Sequence, residues 1–184
     1  MALTESTMLE LGTQAPDFAL TDVTTGKQVR RDDFYGKPLL VMFICTHCPY
    51  VKHIEKTLGK LGRDYVGKSI AIVAICSNDA ATYPVDAPEG LKAQAEANGF
   101  TFPYLYDESQ AVAHAYNAAC TPDLFLFDSD HKLIYRGQYD SSRPGNGIPV
   151  TGEDLRTAMD AALAGRPIST DQRPSIGCNI KWKG

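Results

Sequence analysis

Leu39-Leu40-Val41-Met42-Phe43-Ile44-Cys45-Thr46-His47-Cys48-Pro49-Tyr50 decides how the chain is read. Its first half, Leu39 to Ile44, has no polar alternation, the pattern of a strand buried on both faces of a parallel sheet. Beyond it, Val51, Ile54, Leu58, Leu61 and Tyr65 recur at spacings of three and four, while Lys52, His53, Glu55, Lys56 and Lys60 fall on the opposite side, so an amphipathic helix follows. Pro49 loses no bond in a first turn, whose N–H groups lack intrahelical partners, and the helix is expected to begin around Thr46. Two cysteines separated by two residues, between a buried strand and a helix, form a redox motif. A helix N-terminus carries roughly half a positive charge, which favours thiolate at Cys45 and makes it the expected attacking nucleophile. Cys48, one turn further in, is the expected resolving thiol. His47 between them adds a group that can be cationic, and thiols activated in this way have pKa values of about 3.5–7.5.

With 184 residues, 43% of them apolar, the chain fits one domain over residues 1–165. Residues 166–184 form a tail in which Ile176, Ile180 and Trp182 are expected to dock back on that domain. A net charge of −4 with interspersed signs argues against nucleic acid as a partner. Met1 to Leu11 carries Glu5 and Glu10 and lacks a basic start and an apolar core, unlike a secretory signal, and no stretch approaches a membrane span. The expected location is therefore cytoplasmic, where cysteines stay reduced unless catalytic or metal-bound. Five cysteines, unevenly spaced, do not make a disulfide scaffold, and no cofactor is expected.

Working outward from the motif, Asp17 to Leu20 and Gln28 to Arg30 flank Thr24-Thr25-Gly26-Lys27 as an N-terminal hairpin. Ile70 to Ile75 is a second buried strand, completing a βαβ unit. After an Asp-, Ala- and Pro-containing loop over Asn78–Pro88, helices are expected over Glu89–Asn98 and about Ser109–Asn117, the latter with Asp107 and Gln110 at capping-box spacing. Leu124 to Phe127 and Lys132 to Tyr135 read as a hairpin. A last helix is expected to open near Thr151 with Asp154 at its third position and to close at Gly165.

These pieces carry a resemblance. Gly12-x-x-Ala15-Pro16-Asp17-Phe18, Cys45-Thr46-His47-Cys48-Pro49-Tyr50-Val51-Lys52-His53, Phe102-Pro103-Tyr104-Leu105, Thr121-Pro122-Asp123 and Gly177-Cys178-Asn179-Ile180-Lys181-Trp182 span almost the whole chain. Together they resemble the thioredoxin-fold superfamily and, within it, the peroxiredoxin-like branch of the alkyl hydroperoxide reductase and thiol-specific antioxidant (AhpC/TSA) group. The resemblance implies an α/β thioredoxin-like fold with an N-terminal β-hairpin extension and a central mixed sheet flanked by helices. It also implies a cis Pro122 facing the dithiol, with Thr121 presenting its backbone to an extended substrate segment. One departure matters: peroxiredoxins carry a threonine three residues before the peroxide-reacting cysteine, and here that position is Met42.

The expected function is a thiol–disulfide oxidoreductase acting on protein or small-molecule disulfides, with an unidentified thiol electron donor. His47 is expected to make its couple more oxidising than thioredoxin, at roughly −230 to −120 mV. Two alternatives stand beside it. One is a peroxidase that reduces hydroperoxides through a Cys45 sulfenic acid, resolved by Cys48, Cys120 or Cys178. The other is a metal carrier using Cys45, Cys48, His47 and His53. Cys120, next to Thr121-Pro122, and Cys178, in the tail, are candidate additional thiols. Cys76 reads as a core residue, and His114 and His131 read as surface residues.

Overall fold

The computed structural model describes residues 2–184; Met1, the first residue of the expected domain, lies outside them. In chain order the strands are β1 (Leu3–Glu5), β2 (Ala19–Asp22), β3 (Gln28–Arg30), β4 (Leu39–Phe43), β5 (Ala71–Cys76), β6 (Tyr104–Tyr106), β7 (Cys120–Thr121), β8 (Asp123–Phe127), β9 (Leu133–Tyr135) and β10 (Ile176–Asn179). The α-helices are α1 (Pro49–Asp64), α2 (Pro88–Asn98), α3 (Ala111–Ala115) and α4 (Glu153–Leu163).

Seven strands form the main sheet, in the order β3-β2-β6-β5-β4-β8-β9. β4 lies inside it, parallel to β5 and antiparallel to β8, with Leu40 opposite Ile72 on one side and Leu126 on the other. That position accounts for its unbroken apolar run, since all five residues are buried. Successive side chains of a strand leave on opposite faces. Leu40 and Met42 join Ile54, Leu58 and Leu61 of α1, Leu91 of α2 and Leu155 of α4 in one core. Leu39, Val41 and Phe43 join Val112 of α3, Tyr116, Phe125 and Phe127 in the other. Each fully buried side chain of this size contributes about 1.5–3 kcal/mol, so the two cores hold β4, and the loop that follows it, firmly in place.

The fold is the α/β mixed sheet flanked by helices that the residues imply, with Gly26 at φ 76° turning the N-terminal hairpin. Several boundaries differ. α1 begins at Pro49 rather than Thr46, because Cys48 keeps an extended conformation (φ −68°, ψ 125°) and acts as the N-cap. α3 is shorter than Ser109–Asn117: Gln110 sits in the left-handed region (φ 67°), and Asp107 accepts from the N–H of Ala113 at 2.9 Å. α4 starts at Glu153, with Asp154 in its second position, because Asp140 takes the Thr151 and Gly152 N–H groups at 2.7 Å each. His131 is buried, its Nε2 3.0 Å from the Phe34 carbonyl oxygen.

A second sheet, β1-β10-β7, has no counterpart in the hydrophobic pattern. Its strands are too short to show a period, and what fixes it is pairing. Cys178 stands opposite Leu3 on one side and Thr121 on the other, and Asn179 stands opposite Cys120. Tail and domain therefore meet beside the motif. Ile180 is buried, and Trp182, 39% exposed, stacks on His114 with ring centroids 4.3 Å apart.

Candidate active site

Cys45, Thr46 and His47 lie in the loop between β4 and α1, at the end of the central strands where ligands bind in open α/β sheets. The Thr121–Pro122 peptide is cis, and Thr121 reaches both motif cysteines. Its Oγ1 is 3.5 Å from Cys45 Sγ, and its carbonyl oxygen is 3.3 Å from Cys48 Sγ, from which it accepts when that thiol is protonated. Cys178, delivered by β10, places its Sγ 2.7 Å from Cys48 Sγ. All three cysteines are buried, at 1%, 0% and 5% exposure for Cys45, Cys48 and Cys178, and none is in a disulfide.

The surroundings push the two motif thiols in opposite directions. Its hydrogen bond to Cys48 pushes the Cys45 thiol well above its ordinary range, burial and the Asp86 carboxylate push the same way, and the Thr121 hydroxyl opposes them. The same bond holds Cys48 down to about 5 against the cost of burial, helped by the Cys178 thiol, the Thr121 hydroxyl and the Val51 N–H. Burial and the bond to Cys48 push Cys178 up to about 12. The surroundings thus favour the thiolate form at Cys48 and the thiol form at Cys45. The helix starts later than expected, so its free N–H groups address the N-cap residue Cys48, while a carboxylate faces Cys45.

That carboxylate is the functional group the sequence did not disclose. Asp86 is fully buried and belongs to a short 3-10 turn, Pro84–Asp86, within a segment that reads as an ordinary loop. It accepts from the Thr46 N–H (2.8 Å), the Thr46 hydroxyl (2.6 Å), His47 Nδ1 (2.6 Å) and Asn78 Nδ2 (2.9 Å). His47 is therefore engaged by Asp86, and its ring stacks on Tyr83 at 4.9 Å between centroids. The largest forces on Cys45 and Cys48 come from the thiols, burial, Asp86, Thr121 and helix N–H groups. The only sequence signal for Asp86 is an acidic residue close before the N-terminus of α2.

Ligand atoms of Cys45, His47 and Asp86 lie within 4.8 Å of one another, the one metal-capable cluster among the described residues. A metal there would compete with the four hydrogen bonds that Asp86 already accepts. Of the other ligands considered, Cys48 faces Cys178, and His53 places Nε2 3.0 Å from Ser142 Oγ, outside the cluster. Cys120 directs its sulfur to the Pro122 carbonyl oxygen at 3.6 Å, and burial pushes its pKa up. Cys76 is fully buried in β5, where burial again pushes its pKa up. A shallow cleft beside the motif is lined by Thr46, His47, Lys52, Glu55, Val85 and Gln94.

Comparison with known proteins extends this picture. The model of the AhpC/TSA family matches residues 11–136. A thiol-disulfide oxidoreductase ResA of Geobacillus kaustophilus is 31% identical over 131 residues, covering 71% of this chain and 70% of that protein. A crystal structure of an uncharacterized conserved protein from Geobacillus kaustophilus is 57% identical, with a TM-score of 0.97 over 100% of this chain and 97% of that one. The thioredoxin domain of a thiol-disulfide oxidoreductase from Bacteroides vulgatus, 18% identical, superposes with a TM-score of 0.65 over 84% of this chain and 99% of that one, which places the fold as thioredoxin-like.

Proposed function

The chain belongs to the AhpC/TSA family, and on that premise we propose that it is a thiol–disulfide oxidoreductase working through Cys45 and Cys48. The observation that carries this reading is the pair of buried thiols that both meet Thr121 of the cis Thr121–Pro122 peptide, Cys45 at its hydroxyl and Cys48 at its carbonyl oxygen. Cys45 passes its proton to Cys48 and attacks one sulfur of a substrate disulfide. The Cys45–substrate disulfide forms, the substrate S–S bond breaks, and the departing thiolate takes up the proton from Cys48. Cys48 then attacks Cys45 Sγ, expels the second substrate thiolate and leaves a Cys45–Cys48 disulfide. Two thiols are oxidised and one disulfide is reduced. Stabilising the Cys48 thiolate favours the reduced form and makes the couple more oxidising. The family model spans the motif, and the relative named as a thiol-disulfide oxidoreductase supports disulfides as the substrate class.

The peroxidase reading has less support, since Met42, fully buried in β4, puts a thioether where peroxiredoxins carry a threonine. The test is insulin-disulfide reduction with dithiothreitol as reductant. The wild-type protein is expected to accelerate it, and Cys45→Ser and Cys48→Ser are expected to abolish the acceleration. Rapid hydrogen peroxide turnover, with dimedone-trapped sulfenic acid at Cys45 in Cys48→Ser, would replace this reading with a peroxidase.

A further inference from the structure

Cys48 has two sulfur neighbours, and the mechanism above uses one. At 2.7 Å the Cys48 and Cys178 sulfurs lie well inside a non-bonded sulfur contact and within 0.7 Å or so of a disulfide bond length, about 2.05 Å. The placement is built by backbone. β10 is hydrogen-bonded on both sides, to β1 and to β7, and its register puts Cys178 directly opposite Thr121. Gly177 permits this approach, because a Cβ there would collide with the Thr121 carbonyl oxygen and touch the Pro122 ring. Cys178 thus faces Cys48 from across the cis-proline segment, while Cys45 approaches from the β4–α1 loop. Cys76 and Cys120, buried elsewhere, share none of this arrangement.

We propose that Cys178 is a third redox thiol, which exchanges with Cys45 for the disulfide to Cys48. The proposal rests on the Cys45–Cys48 couple described above. In the exchange, the Cys178 sulfur attacks Cys48 Sγ of the Cys45–Cys48 disulfide. The Cys48–Cys178 bond forms, the Cys45–Cys48 bond breaks, and Cys45 leaves as a thiolate that takes up the proton Cys178 gave up. No net oxidation or reduction occurs, and no outside reagent is consumed. The disulfide moves inward and returns Cys45 to its thiol form while the protein remains oxidised.

Disulfide mapping of the full-length protein tests this. Reduced wild type, Cys45→Ser and Cys178→Ser proteins are each treated with one equivalent of diamide, quenched in acid, alkylated and digested without reduction. The expected result is both Cys45–Cys48 and Cys48–Cys178 linkages in the wild type, only Cys48–Cys178 in Cys45→Ser, and only Cys45–Cys48 in Cys178→Ser. Absence of the Cys48–Cys178 linkage from wild type overturns the exchange. If Cys178→Ser closes Cys45–Cys48 in that case, the oxidoreductase reading survives alone. If Cys178→Ser fails to close it, both readings fall. The wild-type map needs no substitution, so the answer does not depend on how well a variant folds.

Discussion

His47 donates from Nδ1 to Oδ2 of Asp86 across 2.6 Å, so the histidine of the motif anchors its loop to the turn before α2. Because Asp86 also takes both Thr46 donors and Asn78, one buried carboxylate organises the segment between the two motif cysteines. Replacing Asp86 by Ala leaves these donors without their acceptor. A loss of stability of about 3 kcal/mol is expected, to be read from urea denaturation midpoints. In Asp86→Asn the charge facing Cys45 is gone, and Cys45 should be alkylated by iodoacetamide several-fold faster than in wild type at pH 7.

The reduced pair should titrate in two steps, with the first proton leaving at an apparent pKa near 5 and the second well above the ordinary thiol range. Thiolate absorbance at 240 nm measures both. Removing the Cys178 donor in Cys178→Ala should move the first step upward, because one of the bonds that lowers Cys48 is lost.

The same shift makes stability depend on pH. Cys48 is depressed in the folded state relative to about 8.5 in the unfolded chain, so its contribution is fully present above that value and declines as pH falls. Below about 5 it is gone. Reduced wild-type protein should therefore lose stability relative to reduced Cys48→Ala as the pH drops through this window. The oxidised protein, with no thiol to titrate at Cys48, should not show the difference.

Gly177→Ala should push β10 away from Thr121 and cost roughly 1–3 kcal/mol, as overpacking of a tight contact does. Cys178 would then react faster with Ellman's reagent, and the rate of that reaction is the measurement.

Gln110 ties the tail down: its amide donates to the Ser77 and Lys181 carbonyl oxygens at 2.7 and 2.9 Å and accepts from the Lys183 N–H at 3.0 Å. Trp182 is the single tryptophan, so fluorescence reports on this segment alone. Gln110→Ala should shift its emission to the red and raise its quenching by acrylamide as the stack on His114 loosens.

Most of the main sheet was legible because its central strands are apolar on both faces and α1 carries a clear helical period. The motif was legible for the same reason: its spacing sits where strand gives way to helix. What escaped depends on contacts between residues far apart in the chain. Asp86 looks like any loop acid until the fold brings it to His47. The second sheet consists of strands of two to four residues, too short for a pattern, and only the pairing of Cys178 with Thr121 reveals why the tail lies there. The position of Cys48 as N-cap turned on where α1 begins, a boundary that Pro49 leaves open because proline is tolerated in a first turn. Gln110 was readable as part of a cap, yet its side chain holds the tail instead.

β10 is flanked by hydrogen-bonded neighbours along both edges, and this sets the speed of what happens beside it. A strand locked between two others does not slide, so Cys178 stays put on the timescale of substrate encounter. A change of partner at Cys48 is then a turn of one side chain between staggered wells, with no backbone rearrangement to wait for. The slow step would be the sulfur chemistry itself.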